Sequence, residues 1–467
     1  MAGSRKRVAL PPQTGSKSTV ERLAAGKALR QICPRSAFAL WQPADNRADP
    51  IDLLIANSEG RVEDLIPLRY GRMMASPFAF YRGSAAIMAH DLSTQASTGH
   101  AIVICGDAHL VNFGGFRTPE RRLIFDLNDF DEASVAPWEW DIHRLAASFQ
   151  IAAASNGFKA ADCDEAAWSA ARSYRLNLAR YARMPLLDAH YEYIDLAKLV
   201  ARSTDVELRR FHMRRIEKAT ASTAHSVEFA KLAYDTGELP VIRDDPPLIF
   251  HVDDIARSAS YRKSAEDMLA KYRTNLGGEK RALLDRYTLA DVAMKVVGIG
   301  SVGTRCGIAL FVSGSGDPLF LQFKEARPSV LEAYAGRSPF GTAGERVVYC
   351  QRLMQAASDF FLGPTTGEEG RQYYVRQLRD AKVSPVIEIM NADELVNYAN
   401  ACGWALARAH QRSGDAALFT GYLGKSDAFE DSIAKFSKSY AQQNERDHGA
   451  LMSAIRSGRI EARTDVG

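Results

Sequence analysis

MKVVGIGSVGTRCGIALFVSGSGDPLFLQFKEAR, residues 294–327, alternates apolar and small residues around glycine turns. It reads as three strands with two connections, because β-forming runs broken by glycine suit an antiparallel sheet. Gly298, Gly300 and Gly303 match G-x-G-x-x-G, whose first reading is a dinucleotide-binding turn. That reading requires a helix to open straight after the glycines. TRCGIALFVSGSGD follows instead, so a strand returns. A strand, a glycine turn holding Ser301 and a second strand would cover phosphates with backbone N–H groups. The next strand, LFLQFK, ends in Lys324, a positive charge for the same phosphates. A glycine-rich hairpin with a surface lysine is the plainer alternative.

Upstream, FDLNDFDEA (125–133) crowds Asp126, Asp129 and Asp131 at a strand end. Like charges at close quarters cost energy unless a cation sits between them. The three carboxylates, with Asn112, would suit an oxygen-ligated Mg²⁺, and a solvated acidic turn is the alternative. Asn112 belongs to GDAHLVNFG (106–114), where Asp107 precedes it by five positions. D-x-x-x-x-N is the spacing of a kinase catalytic loop, in which a carboxylate accepts the acceptor's hydroxyl proton and an amide oxygen holds metal. A strand-end turn with both side chains on their own backbone would look the same. Asp107-x-His109 would also open a two-metal phosphoesterase site. His410, Arg412 and Asp415 faintly resemble H-R-D, but a helix C-terminus with basic residues near its dipole explains them better.

Around these motifs the pattern is mostly helical. Ser76 and Pro77 mark a helix start, AIVICGD (101–107) and RRLIFDLND (121–129) read as strands, and 140–154 reads as a helix. A helical array follows over 158–235, then a helix near 261–290. After the glycine stretch come a helix with apolar residues at 347, 350, 354, 357 and 361, a strand at 373–378, and a helix at 393–412.

The 467 residues carry a net charge of +3, with 46% hydrophobic and 25% charged residues, close to globular averages. That length favours two or three structural units. No basic run supports nucleic-acid binding, and no window approaches a membrane span. The first residues lack the apolar stretch of a signal peptide, and the six cysteines form no CxxC pair. A cytoplasmic protein is expected.

GDAHLVNFG resembles the G-D-x-H-x-x-N loop of aminoglycoside phosphotransferases and choline kinases, and NDFDEA resembles their metal-binding segment. Asp141 in WEWDIHRLA is similar to the Asp that opens their D-L-A helix, although an N-cap explains it as well. From about residue 25 to 450 the chain resembles a bacterial family of unknown function grouped with the protein-kinase-like fold. RYGRMMASPFAFYRG, ICGDAHLVNFGGF, FDLNDFDEASVAPWEWD and LQFKEARPSVLEAY are among the segments that carry this likeness.

The resemblance implies an α+β, protein-kinase-like two-lobed fold with a large helical lobe and a small antiparallel β lobe. The catalytic loop precedes the glycine loop, the reverse of the kinase order, so the fold would be circularly permuted. The expected units are a flexible tail (1–20), a helical lobe with the catalytic and metal-binding loops (21–290), a nucleotide-binding β lobe (291–392) and C-terminal helices completing the helical lobe (393–467).

The expected activity is an ATP- and Mg²⁺-dependent phosphotransferase with Asp107 catalytic and His109 and Asp141 supporting. Asn112 and Asp129, helped by Asp126 or Asp131, would hold Mg²⁺. Gly298, Gly300, Ser301, Gly303 and Lys324 would bind the nucleotide, with Glu332 or Glu345 pairing Lys324. The acceptor would be a small molecule or a protein, and no oligomeric state is implied. A nucleotide-binding regulatory pseudokinase, a nucleotidyl transferase and a metal-dependent phosphoesterase remain alternatives. Cys105 stands where the phosphotransferases have His.

Overall fold

The computed structural model describes residues 10, 17–202, 205–221, 229, 231–237, 239–251, 255–296, 298–378 and 382–464. Most of the expected tail lies outside them. What is described shortens that tail, because Thr19–Ile32 is already a helix, closed at its start by a Ser18–Glu21 capping box.

The chain is a mixed α+β protein. Its strands in order are β1 (Ala101–Ile104), β2 (Phe113–Arg117), β3 (Leu123–Leu127), β4 (Ser134–Pro137), β5 (Ile194–Asp195), β6 (Ala233–Tyr234), β7 (Val241–Ile242), β8 (Ile249–Phe250), β9 (Tyr287–Lys295), β10 (Cys306–Ser313), β11 (Pro318–Glu325), β12 (Gly363–Thr366) and β13 (Gln372–Gln377). The last six form one antiparallel sheet in the order β12-β13-β11-β10-β9-β8. The glycine stretch thus supplies β10, β11 and the end of β9, as its pattern predicts. The sheet reaches back to Ile249, upstream of the boundary expected at 291. Lys324 sits directly opposite Tyr374 on β13, so both side chains leave the sheet on one face.

The helix expected near 261–290 is shorter. Ile255–Asn275 ends before Gly277-Gly278, and β9 has begun by Tyr287. The helix expected to run to 361 stops at Met354. There the Ala356 amide turns to Asp126 (2.9 Å) instead of continuing the helical ladder. The Ser76 start is found, with its hydroxyl accepting from the Ala79 amide, and that helix ends at Gly83.

The main core lies among Glu139–Ser155, Ala160–Tyr181, Ala392–Ser413 and Ala428–Arg456. Glu139–Ser155 is buried along almost its whole length. Leu395, Ala399, Cys402, Leu406 and Ala409 are all fully buried, as their 4-3-4-3 spacing requires. All six cysteines are buried and free. Among the described residues no helix is long and apolar enough to cross a membrane.

Candidate functional site

One cavity of about 510 Å³ collects most of the predicted residues. Asp107, His109, Asn112, Asp129, Asp131, Gly298, Gly300, Ser301 and Lys324 line it together. The glycine turn is held over it from the helical side. Val62 donates its amide to the Gly303 carbonyl (2.8 Å), and Arg61 donates to that of Val302 (2.6 Å). Gly303 itself has φ +84°, a left-handed conformation that glycine adopts without strain. A Cβ at Gly300 would lie 4.0 Å from Asp107 Oδ2, so the turn and the Asp107 carboxylate face each other closely.

The far side of the cavity is tied at Asp131. Lys324 forms an ion pair with its carboxylate. Ser301 donates to Oδ2 (2.9 Å) and Tyr374 to Oδ1 (2.8 Å). Burial raises the proton affinity of Asp131, but the Lys324 charge and these hydrogen bonds outweigh it and hold the carboxyl below its usual range. Asp129 behaves oppositely. Burial, then repulsion from Asp131, pushes it up against the weaker pull of Lys324 and Arg376.

Asp107 is gripped by Arg144, whose Nε donates to Oδ1 (2.8 Å). Burial nevertheless raises its carboxyl above the usual range, against the attraction of Arg144 and Arg82. Asn112 donates Nδ2 to the Asp107 carbonyl (2.8 Å), which leaves its amide oxygen as an acceptor. His109 Nε2 lies 3.8 Å from Asp107 Oδ2. Burial and the nearby arginines hold its imidazole well below the usual range.

Asp141 stands behind this loop. It accepts the amides of Cys105 (2.8 Å) and Gly106 (2.9 Å) and meets His410 Nε2 at 3.1 Å. Asp141 lies inside its helix rather than at the N-cap, which is Trp138. His410 in turn contacts the Tyr174 hydroxyl (2.8 Å), a buried bridge rather than a loose helix end.

Five predicted residues do not line the cavity: Asp126, Asp141, Gly303, Glu332 and Glu345. Asp126 is buried against Arg408 (2.6 Å) and accepts the Leu127 and Ala356 amides. Glu332 accepts from Ser329 and Ser338, and Glu345 caps its own helix through Thr342. The partner of Lys324 is therefore Asp131, and neither glutamate. Gly303 acts through its backbone contact with Val62.

Arg144, Tyr374 and Arg82 belong to the site and were not singled out from sequence. Arg144 lies one turn after Asp141, and Tyr374 falls in a segment already read as a strand. Their positions opposite Asp107 and Lys324 follow only from the packing.

Among the described residues, no three His, Cys, Asp or Glu side chains gather as a metal-holding group. The donors here are one carboxylate, Asp129, and one amide oxygen, Asn112. That small set fits Mg²⁺, which keeps several waters and takes substrate phosphate oxygens beside one or two carboxylates.

A family model for an uncharacterized protein conserved in bacteria (DUF2252) matches residues 61–454. The chain belongs to that family. The match takes in every cavity residue of the DUF2252 chain named above. No curated protein and no solved structure matches it.

Proposed function

We propose that this DUF2252 chain is an ATP- and Mg²⁺-dependent phosphotransferase acting on a hydroxyl acceptor, with a circularly permuted protein-kinase-like arrangement. The observation that supports it most is the meeting of two distant segments, 107–131 and 298–324, across one cavity. The glycine turn suits an anion, and Asp129, next to the Lys324–Asp131 ion pair and pushed up by burial and by Asp131, suits a cation. A metal–nucleotide complex answers both.

In this reading Gly298–Ser301 cover the phosphates and Lys324 neutralises them. Bound Mg²⁺, held by Asn112 and Asp129, would offset charge on the phosphates. Asp107, fixed by Arg144 and the Asn112 amide, orients the acceptor hydroxyl. The hydroxyl oxygen forms the new bond to the γ-phosphorus, and the bond from that phosphorus to the β–γ bridging oxygen breaks. ADP leaves with the electron pair, and the hydroxyl proton passes to Asp107. Positioning and charge neutralisation supply most of the catalysis in such a transfer.

A second reading, nucleotide binding with little turnover, draws on the Arg144–Asp107 ion pair, which occupies one carboxylate oxygen of Asp107. Calorimetric titration of ATP with and without Mg²⁺, followed by mass spectrometry of a metabolite pool incubated with ATP, separates the two. Mg²⁺-dependent binding with transfer of the γ-phosphate supports the first, and binding without product supports the second. Transfer of the α-phosphate with its nucleoside would indicate nucleotidyl transfer. No binding would refute both readings.

A further inference from the structure

Buried arginines in this chain are generally answered by a carboxylate. Arg47 meets Asp91 and Asp447, Arg175 meets Glu430, Arg144 meets Asp107, and Arg408 meets Asp126. Three arginines on the helical wall of the cavity depart from this pattern. Arg61 donates to the Asn57 carbonyl and side-chain oxygen (3.2 Å each) and to the Val302 carbonyl. Arg69 donates to Ser58 Oγ and Asn57 Oδ1 (2.9 Å each) and to the Gly83 carbonyl (3.0 Å). Arg82 has a buried Nε with no hydrogen-bond partner, and so does Arg69.

These acceptors are neutral. They solvate a guanidinium without cancelling its charge; Glu132 attracts Arg61 and Arg69, and Asp107 attracts Arg82, without a direct ion pair, and burial outweighs that attraction. Burial accordingly lowers the proton affinity of all three, Arg69 to about 10. All three line the cavity that holds Asp107, and the Arg82 carbonyl lies 3.7 Å from where a Gly300 Cβ would be. Arg69 and Arg82 stand on the helices Ile66–Met74 and Pro77–Gly83 and Arg61 on the turn before them, whereas Lys324 and Arg376 belong to the sheet wall. The cavity lining as a whole carries eight Arg and Lys against five Asp and Glu.

We propose that the cavity binds two anions at once: the nucleotide phosphates at the sheet wall, and a dianionic phosphate-type group of the second substrate at Arg61, Arg69 and Arg82. The acceptor is then a hydroxyl compound that already bears such a group. Guanidinium forks match phosphate oxygens in pairs, and several of them on one face favour a dianion over a carboxylate. The group is a handle that stays intact while it aims the hydroxyl at Asp107. The identity of the reacting hydroxyl rests on the phosphotransfer reading, and the anion subsite stands without it.

The test is calorimetric titration of inorganic phosphate into the full chain, with Mg²⁺ and a saturating non-hydrolysable ATP analogue present, and acetate as the monoanion control. Phosphate should bind beside the analogue and acetate should not. Arg82→Gln should weaken phosphate binding about 10-fold or more, the worth of one charge-assisted hydrogen bond, and leave analogue affinity within about twofold. If Arg82→Gln does not fold by circular dichroism, Arg82→Lys is read instead, since it keeps the charge and loses the fork. Competition between phosphate and analogue, equal weakening of both, equal binding of acetate, or no phosphate binding would each overturn the subsite. Phosphate binding that depends on Arg82, in a chain that takes no nucleotide, would uphold the subsite and refute the phosphotransfer reading.

Discussion

Lys324 and Asp131 form a buried ion pair that joins the sheet to the acidic turn after β3. Ser301 and Tyr374 complete the carboxylate's hydrogen bonds, so four chain segments converge on one side chain. Removing one partner of such a pair strands the other as an uncompensated charge, at a cost of about 3 kcal/mol. Lys324→Met and Asp131→Asn should each lower unfolding stability by roughly that amount in urea titrations. The double variant Lys324→Met, Asp131→Asn should recover a large part of it. A strictly additive cycle would show that the pair is uncoupled.

Asp107 makes a separable prediction. Its Arg144 contact is preserved in part by asparagine, so Asp107→Asn should fold and, on the proposed phosphotransfer, bind ATP as the wild-type chain does. Turnover should fall about 10²–10⁴-fold, the usual contribution of a positioned acid–base group. Unchanged turnover would remove Asp107 from the chemistry.

The loop that carries Asp107 hangs from Asp141 through two amides, at Cys105 and Gly106. Asp141→Asn removes the negative charge and turns one acceptor into a donor facing an N–H. A loss of about 2–3 kcal/mol is expected, the range for a hydrogen bond to a charged group. Hydrogen exchange locates the effect. Protection should drop first at the amides of Cys105 and Gly106, and uniform loss across the chain would place the defect elsewhere. Gly106→Ala tests the same loop from the other side. Its φ is +77°, and a Cβ there would stand 2.3 Å from the Glu132 carbonyl oxygen. Strain and clash together should cost at least about 2 kcal/mol in thermal unfolding.

The three sheet strands around the glycines were legible because turn residues and β-formers alternate at strand length. The residues that gather in the cavity were also legible, since Asp107, Asn112, Asp129 and Lys324 are chemistry-bearing types at strand or loop ends. What sequence did not reveal is which charge goes with which. Asp126 and Asp131 lie in one acidic run, but β3 is buried on both faces, so alternation along it cannot say that Asp126 turns to Arg408. The premature end of the helix at Met354 has the same origin, because the Asp126 carboxylate captures the Ala356 amide. Glu345 was readable in part: Thr342-x-x-Glu345 is the spacing of a capping box, and its side chain serves that local bond. The arginine cluster at 61, 69 and 82 was invisible, since which buried arginines meet no carboxylate directly is a property of packing alone.

The sheet edge gives the pH prediction. His251 follows β8 and bridges two carboxylates, with Nδ1 2.8 Å from Asp244 Oδ1 and Nε2 3.0 Å from Asp291 Oδ2. Asp291 also receives the Ile242 amide (2.7 Å), so the imidazole helps fasten the β7 segment to β9. Its hydrogen bond to Asp291, with the Asp291 and Asp244 charges, outweighs burial and raises the imidazole from 6.5 to about 9. Below pH 6.5 the histidine is protonated in both folded and unfolded chains, and its stabilisation is fully present. Between 6.5 and 9 the unfolded chain releases the proton while the folded chain keeps it, so stability falls with rising pH. Above about 9 the contribution is gone. The pair is partly solvent-exposed, and screening reduces the effect to on the order of 1 kcal/mol. Urea unfolding at pH 6, 7.5 and 9.5 should show this decline in the wild-type chain and a flatter profile in His251→Gln. An equal slope in both would assign the pH dependence to other groups.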